Sequence, residues 1–381
     1  MSVGADDTRA DDRQRETPLG LRIKERLRRE GPIGVDAYMQ MCLGDPEHGY
    51  YRRRPALGTA GDFITAPEIS QVFGELIGLW CAVVWQQMGS PARVNLVELG
   101  PGRGTMMRDA LRAAKIVPGF LAALTVHLVD KNETLRSLQQ TALADAGVPL
   151  RFHSEPSKAL TMRSEVAESA TIVLANEFLD ALPVEQSQFA DGAWRARDVG
   201  IEGDAFCFKA DMSSSLEIPS LPKGLEPREG DVLEVSVVRG VLASTLLKAG
   251  AAMGPLAALF IDYGHARTGF GDTLQGVARQ AHVSPFHAPG ETDLSAQVDF
   301  QHFADACRAA ELAVDGPLPQ AEFLGRLCIV ERASRLMEAN PSRAAEIEAG
   351  VARLIAPSGM GSRFLAIGVR SPSLAPLPGL T

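Results

Sequence analysis

The segment Val94-Asn95-Leu96-Val97-Glu98-Leu99-Gly100-Pro101-Gly102-Arg103-Gly104-Thr105 constrains what this chain can fold into more than any other. Its first half reads as a buried strand. The alternating glycines read as a tight turn, and a helix begins near Thr105. Glycine turns the backbone at positive φ and lets a ligand approach with no Cβ in the way. The helix that follows points its free N–H groups and the positive end of its dipole at that turn. A strand, turn and helix of this kind belong to an α/β fold with a parallel sheet. A nucleotide-like ligand fits outside the carboxyl end of the strand.

The question is which nucleotide. A dinucleotide fingerprint is G-x-G-x-x-G; here it is G-x-G-x-G, with Thr at 105. The acid, Glu98, precedes the glycines, where it can meet a cationic amino-acid end. This pattern resembles motif I of the Rossmann-like methyltransferases, whose ligand is S-adenosylmethionine. An ordinary strand–helix turn with incidental glycines is the plainer alternative. Residues 124–130 read as the next strand and end in Asp130, which is placed to accept ribose hydroxyls. Alone, Asp130 reads as a helix N-cap before Glu133; beside Glu98, the cofactor role is favoured.

A chain of 381 residues with 45% hydrophobic content has ample material for one large domain or two coupled lobes. A net charge of -9 and a pI near 5.4 argue against nucleic acid as the partner. The basic run Arg52-Arg53-Arg54 is short enough to be a solvated loop. The 5 cysteines include no CxxC pair, which argues against a metal site or disulfide framework and for a reducing compartment. His282, His287 and His302 lack metal-ligand spacing. The longest apolar stretch, residues 249–261, is too short for a bilayer, so no integral membrane segment is expected. The polar start has the character of neither a secretory nor a transit peptide. Residues 1–18 are expected to be a disordered tail, and the protein to be cytoplasmic.

Along the chain, helices are expected at 19–30, 35–42 and 69–88, with a loop-rich stretch at 44–68. Core strands are expected at 94–99, 124–130, 150–153, 171–175 and 257–262, with antiparallel hairpins inserted at 184–209 and a proline-rich loop at 216–230. A helix over 232–248 follows. After an irregular segment to 298, helices are expected at 299–311, 319–338 and 341–355, and a final strand at 363–369. The division expected is a tail (1–18), an N-terminal helical segment with a cofactor-covering loop (19–90), and a core at 91–265 with an insertion at 184–230. A C-terminal helical region (266–370) and a loose tail (371–381) complete it.

Methyl transfer from a sulfonium is an in-line displacement in which the enzyme positions the reactants and accommodates a proton. Acceptor-side groups belong at the end of the strand beside the cofactor strand. There stand Asn176-Glu177-Phe178-Leu179-Asp180-Ala181-Leu182-Pro183. Asn176 offers an acceptor and a donor. If a helix starts at Glu177, Glu177 and Asp180 lie on neighbouring faces, and paired acids suit a guanidinium. Equally, Asn176 caps that helix and the two acids complement its dipole. In Gly61-Asp62-Phe63-Ile64-Thr65-Ala66-Pro67-Glu68, Thr65 or Glu68 faces the cofactor as part of a lid, or the segment is a plain helix start. Asp262 and Tyr263 are expected to point into the same crevice. The loop 284–290 carries no assignable chemistry.

Together with Glu47-His48-Gly49-Tyr50-Tyr51 and Ile261-Asp262-Tyr263-Gly264, these motifs resemble the MidA-like methyltransferases. That is the family of the mitochondrial complex I assembly methyltransferase and its bacterial relatives. The resemblance covers about residues 33–370 and is weakest at 190–230. It implies a Rossmann-like methyltransferase core with an added helical region, S-adenosylmethionine as cofactor, and symmetric dimethylation of an arginine in a complex I subunit of the 49-kDa type. By motif match it implies Glu98, Gly100, Gly102 and Gly104 as cofactor loop and Thr65 and Pro67 as covering segment. Asn176, Glu177 and Asp180 carry over as the acceptor side. The family's usual His is replaced by Gln297, which cannot act as a base, and Met360-Gly361-Ser362-Arg363-Phe364 matches only in part. The rival classes are a nucleotide-dependent oxidoreductase, an assembly factor or chaperone with a vestigial S-adenosylmethionine site, and a small-molecule methyltransferase. The oligomeric state has no signature in the sequence.

Overall fold

Near-continuous apolar runs mark strands that are covered on both faces. In a computed structural model, which describes residues 14–53, 65–161, 169–218 and 221–381, such runs form the centre of a large sheet. Its strands are Val94–Leu99 (β1), Leu124–Val129 (β2), Leu150–His153 (β3), Ala170–Asn176 (β4), Leu256–His265 (β5), Ala313–Pro319 (β6) and Phe364–Arg370 (β7). Their order across the sheet is β6-β7-β5-β4-β1-β2-β3, and a short strand, Val298–Asp299, pairs with the end of β5. Strands β3, β2, β1, β4 and β5 run parallel; β7 is antiparallel to β5, and β6 to β7. The chain steps outward from β1 to β3 on one side, then restarts at β4 on the other. The order thus reverses between β1 and β4, where ligands of such sheets sit.

Alternate residues of the strands feed two apolar layers. Phe73, Ile77, Trp80 and Val84 of helix Gln71–Gln87 cover one face. Leu242 and Leu246 of Val237–Met253, with Phe303 and Cys307 of Phe300–Ala309, cover the other. A Cβ at Gly78 would lie 2.3 Å from the Ala110 carbonyl oxygen. The bare glycine therefore lets Gln71–Gln87 touch the backbone of helix Thr105–Ala114, the helix that begins at the glycine turn.

Several expectations are corrected. Residues 313–319, partly assigned to helix, form edge strand β6; an edge with an irregularity between Asp315 and Leu318 tolerates Pro317. The helix expected from 232 is a strand at Val232–Val235 and a helix only from Val237, because the β-branched start pairs with Glu185–Ala190. The helix expected at 319–338 divides at Cys328, whose φ is 62°. The tail 371–381 is not loose: Leu377 and Leu380 are buried, and Trp80 Nε1 donates to the Pro378 carbonyl at 3.0 Å. Leucines at 374, 377 and 380 supply the apolar anchors that hold it.

A second compact unit gathers the described residues of Met1–Phe63, Pro183–Val237 and Gly269–Ala296, segments that the linear division kept apart. Its main sheet runs Ile33–Gly34, Ala193–Glu202, Glu185–Ala190, Val232–Val235, with Ala205–Ala210 beside Ala193–Glu202. The Asp191-Gly192 turn has both residues at positive φ, as a tight hairpin requires. The stretch expected to be irregular contains a small sheet of Gln275–Ala278, Ala281–Val283 and Asp293–Ser295. The loop at 284–290 is a fastening: its Pro285 carbonyl accepts from Tyr38 Oη at 3.0 Å, and its Pro289 carbonyl from Thr17 Oγ1 at 2.7 Å. Gln14 already bonds the Phe206 carbonyl and Thr17 caps helix Pro18–Glu30, so the expected tail is anchored from Gln14 on. Residues 1–13, Arg54 and residues 61–64 of the covering segment lie outside the described residues. Among the described residues, no helix is long and apolar enough to cross a membrane.

Candidate active site

Glu98 lies next to the end of β1, and its side chain is buried. Among the described residues, its Oε2 has no hydrogen-bond partner. Burial pushes its carboxyl up to about 8. An acid left this way accommodates a cation that restores its lost solvation. After it, Gly100, Gly102 and Gly104 take φ of 66°, 53° and 81°. Gly100 N–H donates to the Val129 carbonyl at 3.0 Å, tying the turn to β2. A Cβ at Gly100 would come within 3.1 Å of the Phe178 ring, so the glycine turn lies against the loop that follows β4.

Asp130 follows β2. Its Oδ1 accepts from Asn132 N–H at 2.8 Å and its Oδ2 from Gln139 Nε2 at 3.2 Å. Burial raises its carboxyl to about 6, against those hydrogen bonds and the nearby Arg136. The N-cap of helix Glu133–Ala142 is Asn132, whose Oδ1 accepts from Thr134 and Leu135 N–H, so Asp130 is not the cap. Gln139 also donates to the Gly102 carbonyl, at 2.8 Å. Sequence reading passed over Gln139. The signal was a polar residue on the buried stripe Leu135, Gln139, Leu143 of an amphipathic helix.

The described part of the covering segment links both sides of the crevice. Thr65 is the N-cap of the short helix Ala66–Ile69, without a side-chain cap bond, and Pro67 lies in its first turn. Ala66 N–H donates to Glu177 Oε1 at 3.1 Å, and Glu68 Oε1 accepts from Thr105 Oγ1 at 2.6 Å. One turn of helix thus joins the loop after β4 to the first residue of helix Thr105–Ala114.

No helix follows Asn176. Residues 177–183 form an irregular turn, with Glu177 itself at φ 53°. The helix expectation fails because another group takes the backbone donors. Asp262, buried at the adjacent strand β5, accepts through Oδ2 from Phe178, Leu179 and Asp180 N–H at 3.0, 2.7 and 3.2 Å. Its Oδ1 accepts from Tyr263 N–H at 2.9 Å. The Asp262 carboxylate is therefore directed at the loop backbone, not at the crevice as expected. Helix capping by Asn176, the competing reading, has no helix to act on. Instead Asn176 Nδ2 donates to Glu177 Oε1 at 3.1 Å.

The side chains freed by this arrangement are half-buried, and their carboxyls are raised. Burial raises Glu177 to about 7; the Ala66 N–H opposes it and the Asp180 charge reinforces it. Burial raises Asp180 to about 6, opposed by the Arg239 guanidinium, the Ala181 N–H and the Tyr263 hydroxyl. Asp262 is held well above the usual range by burial and by the Asp180 and Glu177 charges. Arg239, not singled out in the sequence, donates through Nε and Nη2 to the Leu179 carbonyl at 3.1 and 2.9 Å. Among the described residues, Asn176 Oδ1 and Asp180 Oδ1 are buried without a partner. Gln297 is exposed, just before Val298–Asp299.

A parallel sheet with perturbed acids and a glycine turn at its switch point defines a nucleotide-cofactor enzyme of the α/β class. Comparison with known proteins gives the family. The model of the family described as "Putative S-adenosyl-L-methionine-dependent methyltransferase" matches residues 76–318. The mitochondrial protein arginine methyltransferase NDUFAF7 homolog of Drosophila melanogaster is 34% identical over 380 residues, covering 91% of this chain and 83% of its own. Mitochondrial NDUFAF7 of Mus musculus is 34% identical over 365 residues, with coverage of 91% and 83%. A COG1565 superfamily structure from Burkholderia thailandensis, bound to S-adenosyl-homocysteine, has the same fold at a TM-score of 0.80 and 24% identity, covering 97% of each chain. The chain belongs to this family of S-adenosylmethionine-dependent methyltransferases. The expected cytoplasmic location is corrected, since these relatives are named as mitochondrial proteins.

The residues present fit the family's cofactor. The orphaned Glu98 Oε2 suits the cofactor's amino group, and the positive-φ glycines leave the turn bare for it.

Proposed function

We propose that this methyltransferase acts on a protein arginine, with Asn176, Glu177 and Asp180 on the acceptor side. The observation that carries this reading is the pair of half-buried carboxylates with raised pKa following β4, beside the glycine turn, with unfilled acceptor atoms on Asn176 and Asp180. The relatives named as protein arginine methyltransferases support it. Glu98, Gly100, Gly102, Gly104 and Asp130 hold the cofactor, and Thr65 and Pro67 cover it. Bound S-adenosylmethionine supplies a methyl group on a positively charged sulfur, open to attack by a guanidinium nitrogen. Glu177 and Asp180 orient the planar cation through its N–H fork, which a lysine ammonium does not match. Their raised carboxyls suit them to take the proton the nitrogen loses. In this reading the substrate is a complex I subunit of the 49-kDa type and the product a symmetric dimethylarginine.

Incubation with radiolabelled S-adenosylmethionine and that subunit, followed by mass spectrometry, tests the proposal. Label on an arginine, absent with Glu177→Gln, is expected. No label on the subunit, with label on a small metabolite when a lysate is supplied instead, would overturn it.

A further inference from the structure

Gln139 has no part in the function as stated, yet it is fully buried at the centre of the cofactor side. We propose that Gln139 is a positioning residue: its carboxamide locks the Gly102 carbonyl and the Asp130 carboxylate together, presenting turn and acid as one preformed surface. This rests on the reading of Asp130 and the glycine turn as cofactor-binding.

The geometry is specific. A single Nε2 donates both to Gly102 O at 2.8 Å and to Asp130 Oδ2 at 3.2 Å. The Gly102 carbonyl is an acceptor only, and so is the Asp130 carboxylate when ionised, so in that state the amide has one usable orientation. Gly104 packs on the same residue: a Cβ there would meet Gln139 Cα at 3.4 Å. The helix carrying Gln139 is set by the Asn132 cap, and Asn132 N–H itself bonds Asp130, so carboxylate, cap and carboxamide form one unit. Packing alone does not account for a glutamine here. Among the described residues its Oε1 is buried without a partner, a cost that a leucine on the same stripe would avoid.

The charged groups around this unit are Asp130 itself and Arg136, which donates to the Asp130 carbonyl at 2.6 Å and pairs with Glu133 at 3.4 Å. These set the expected pH behaviour. In Gln139→Leu the donor is gone at every pH. In Gln139→Glu an ionised carboxylate faces Asp130 and the Gly102 carbonyl, and only its protonated form can donate.

The test is calorimetric titration of the full chain with S-adenosylhomocysteine from pH 5 to 9, alongside melting of the unliganded proteins. Gln139→Leu is expected to melt no lower than wild type and, where Asp130 is ionised, to bind roughly 10- to 100-fold more weakly, the range for losing a hydrogen bond to a charged group. Gln139→Glu is expected to recover affinity relative to wild type as pH falls. Wild-type affinity in a folded Gln139→Leu would overturn the proposal. Should that variant not fold, a Gln139→Glu affinity that keeps the same ratio to wild type at every pH would overturn it instead. Asp130→Asn separates the two levels. If it leaves affinity unchanged, the underlying reading of Asp130 fails. If it weakens binding while Gln139→Leu does not, only the positioning role fails.

Discussion

The acids at the ends of β1 and β4 are the residues that folding alone would not place there. Glu98 has a raised native carboxyl, about 8 against roughly 4.3 for a free glutamate. Between those values the native state holds a proton that the unfolded chain has released, so this residue lowers stability as pH rises through that window. Glu98→Gln should therefore melt higher than wild type at pH 9 and about equally at pH 4, while binding cofactor more weakly. A melting difference independent of pH would show that the acid is not the source. On the acceptor side, Glu177→Gln and Asp180→Asn should keep S-adenosylhomocysteine affinity and lose turnover by about 100-fold or more, the scale of a lost acid–base group. In the proposed reaction both carboxylates act in their ionised form, so turnover should rise with pH through the range of about 6 to 7 and then level off. A flat rate from pH 5.5 to 8 would remove them from the reaction.

At the scale of elements, strand, turn and helix at 94–105 were legible because one apolar run, three glycines and a helical pattern agree locally. The loop after β4 was not. Local pattern allowed a helix from Glu177, and the group that prevents it, Asp262, is on another strand, far along the chain. Likewise nothing in the sequence of 65–68 shows that Ala66 N–H meets Glu177 or that Glu68 meets Thr105. Asp262→Ala leaves three successive N–H groups of the loop without their acceptor. It should abolish turnover and reduce stability by about 3 kcal/mol, the scale of a disrupted buried hydrogen-bond network. Wild-type turnover in that variant would show that the loop holds its shape without Asp262.

At the scale of the whole molecule, the parallel core was readable from its apolar runs, whereas the partnership of distant segments was not. Strand β6 falls partly where helix is expected and the proline-rich stretch 371–381 reads as loose, yet Leu377 and Leu380 are buried and Leu377 N–H bonds Asp315 at 2.9 Å. Leu377→Ala should cost about 2–5 kcal/mol by the usual cavity penalty and leave cofactor affinity intact, checked by melting and titration together.

The claim on which all three scales meet is that the switch point between β1 and β4 holds S-adenosylmethionine. Calorimetric titration with S-adenosylmethionine and S-adenosylhomocysteine, with Gly102→Val in parallel, tests it most directly. Valine is strained at a φ of 53° and fills the turn. The account predicts micromolar binding to the wild-type chain that disappears in a variant that still melts cooperatively. No binding to the wild-type chain, or equal binding by both proteins, would contradict it.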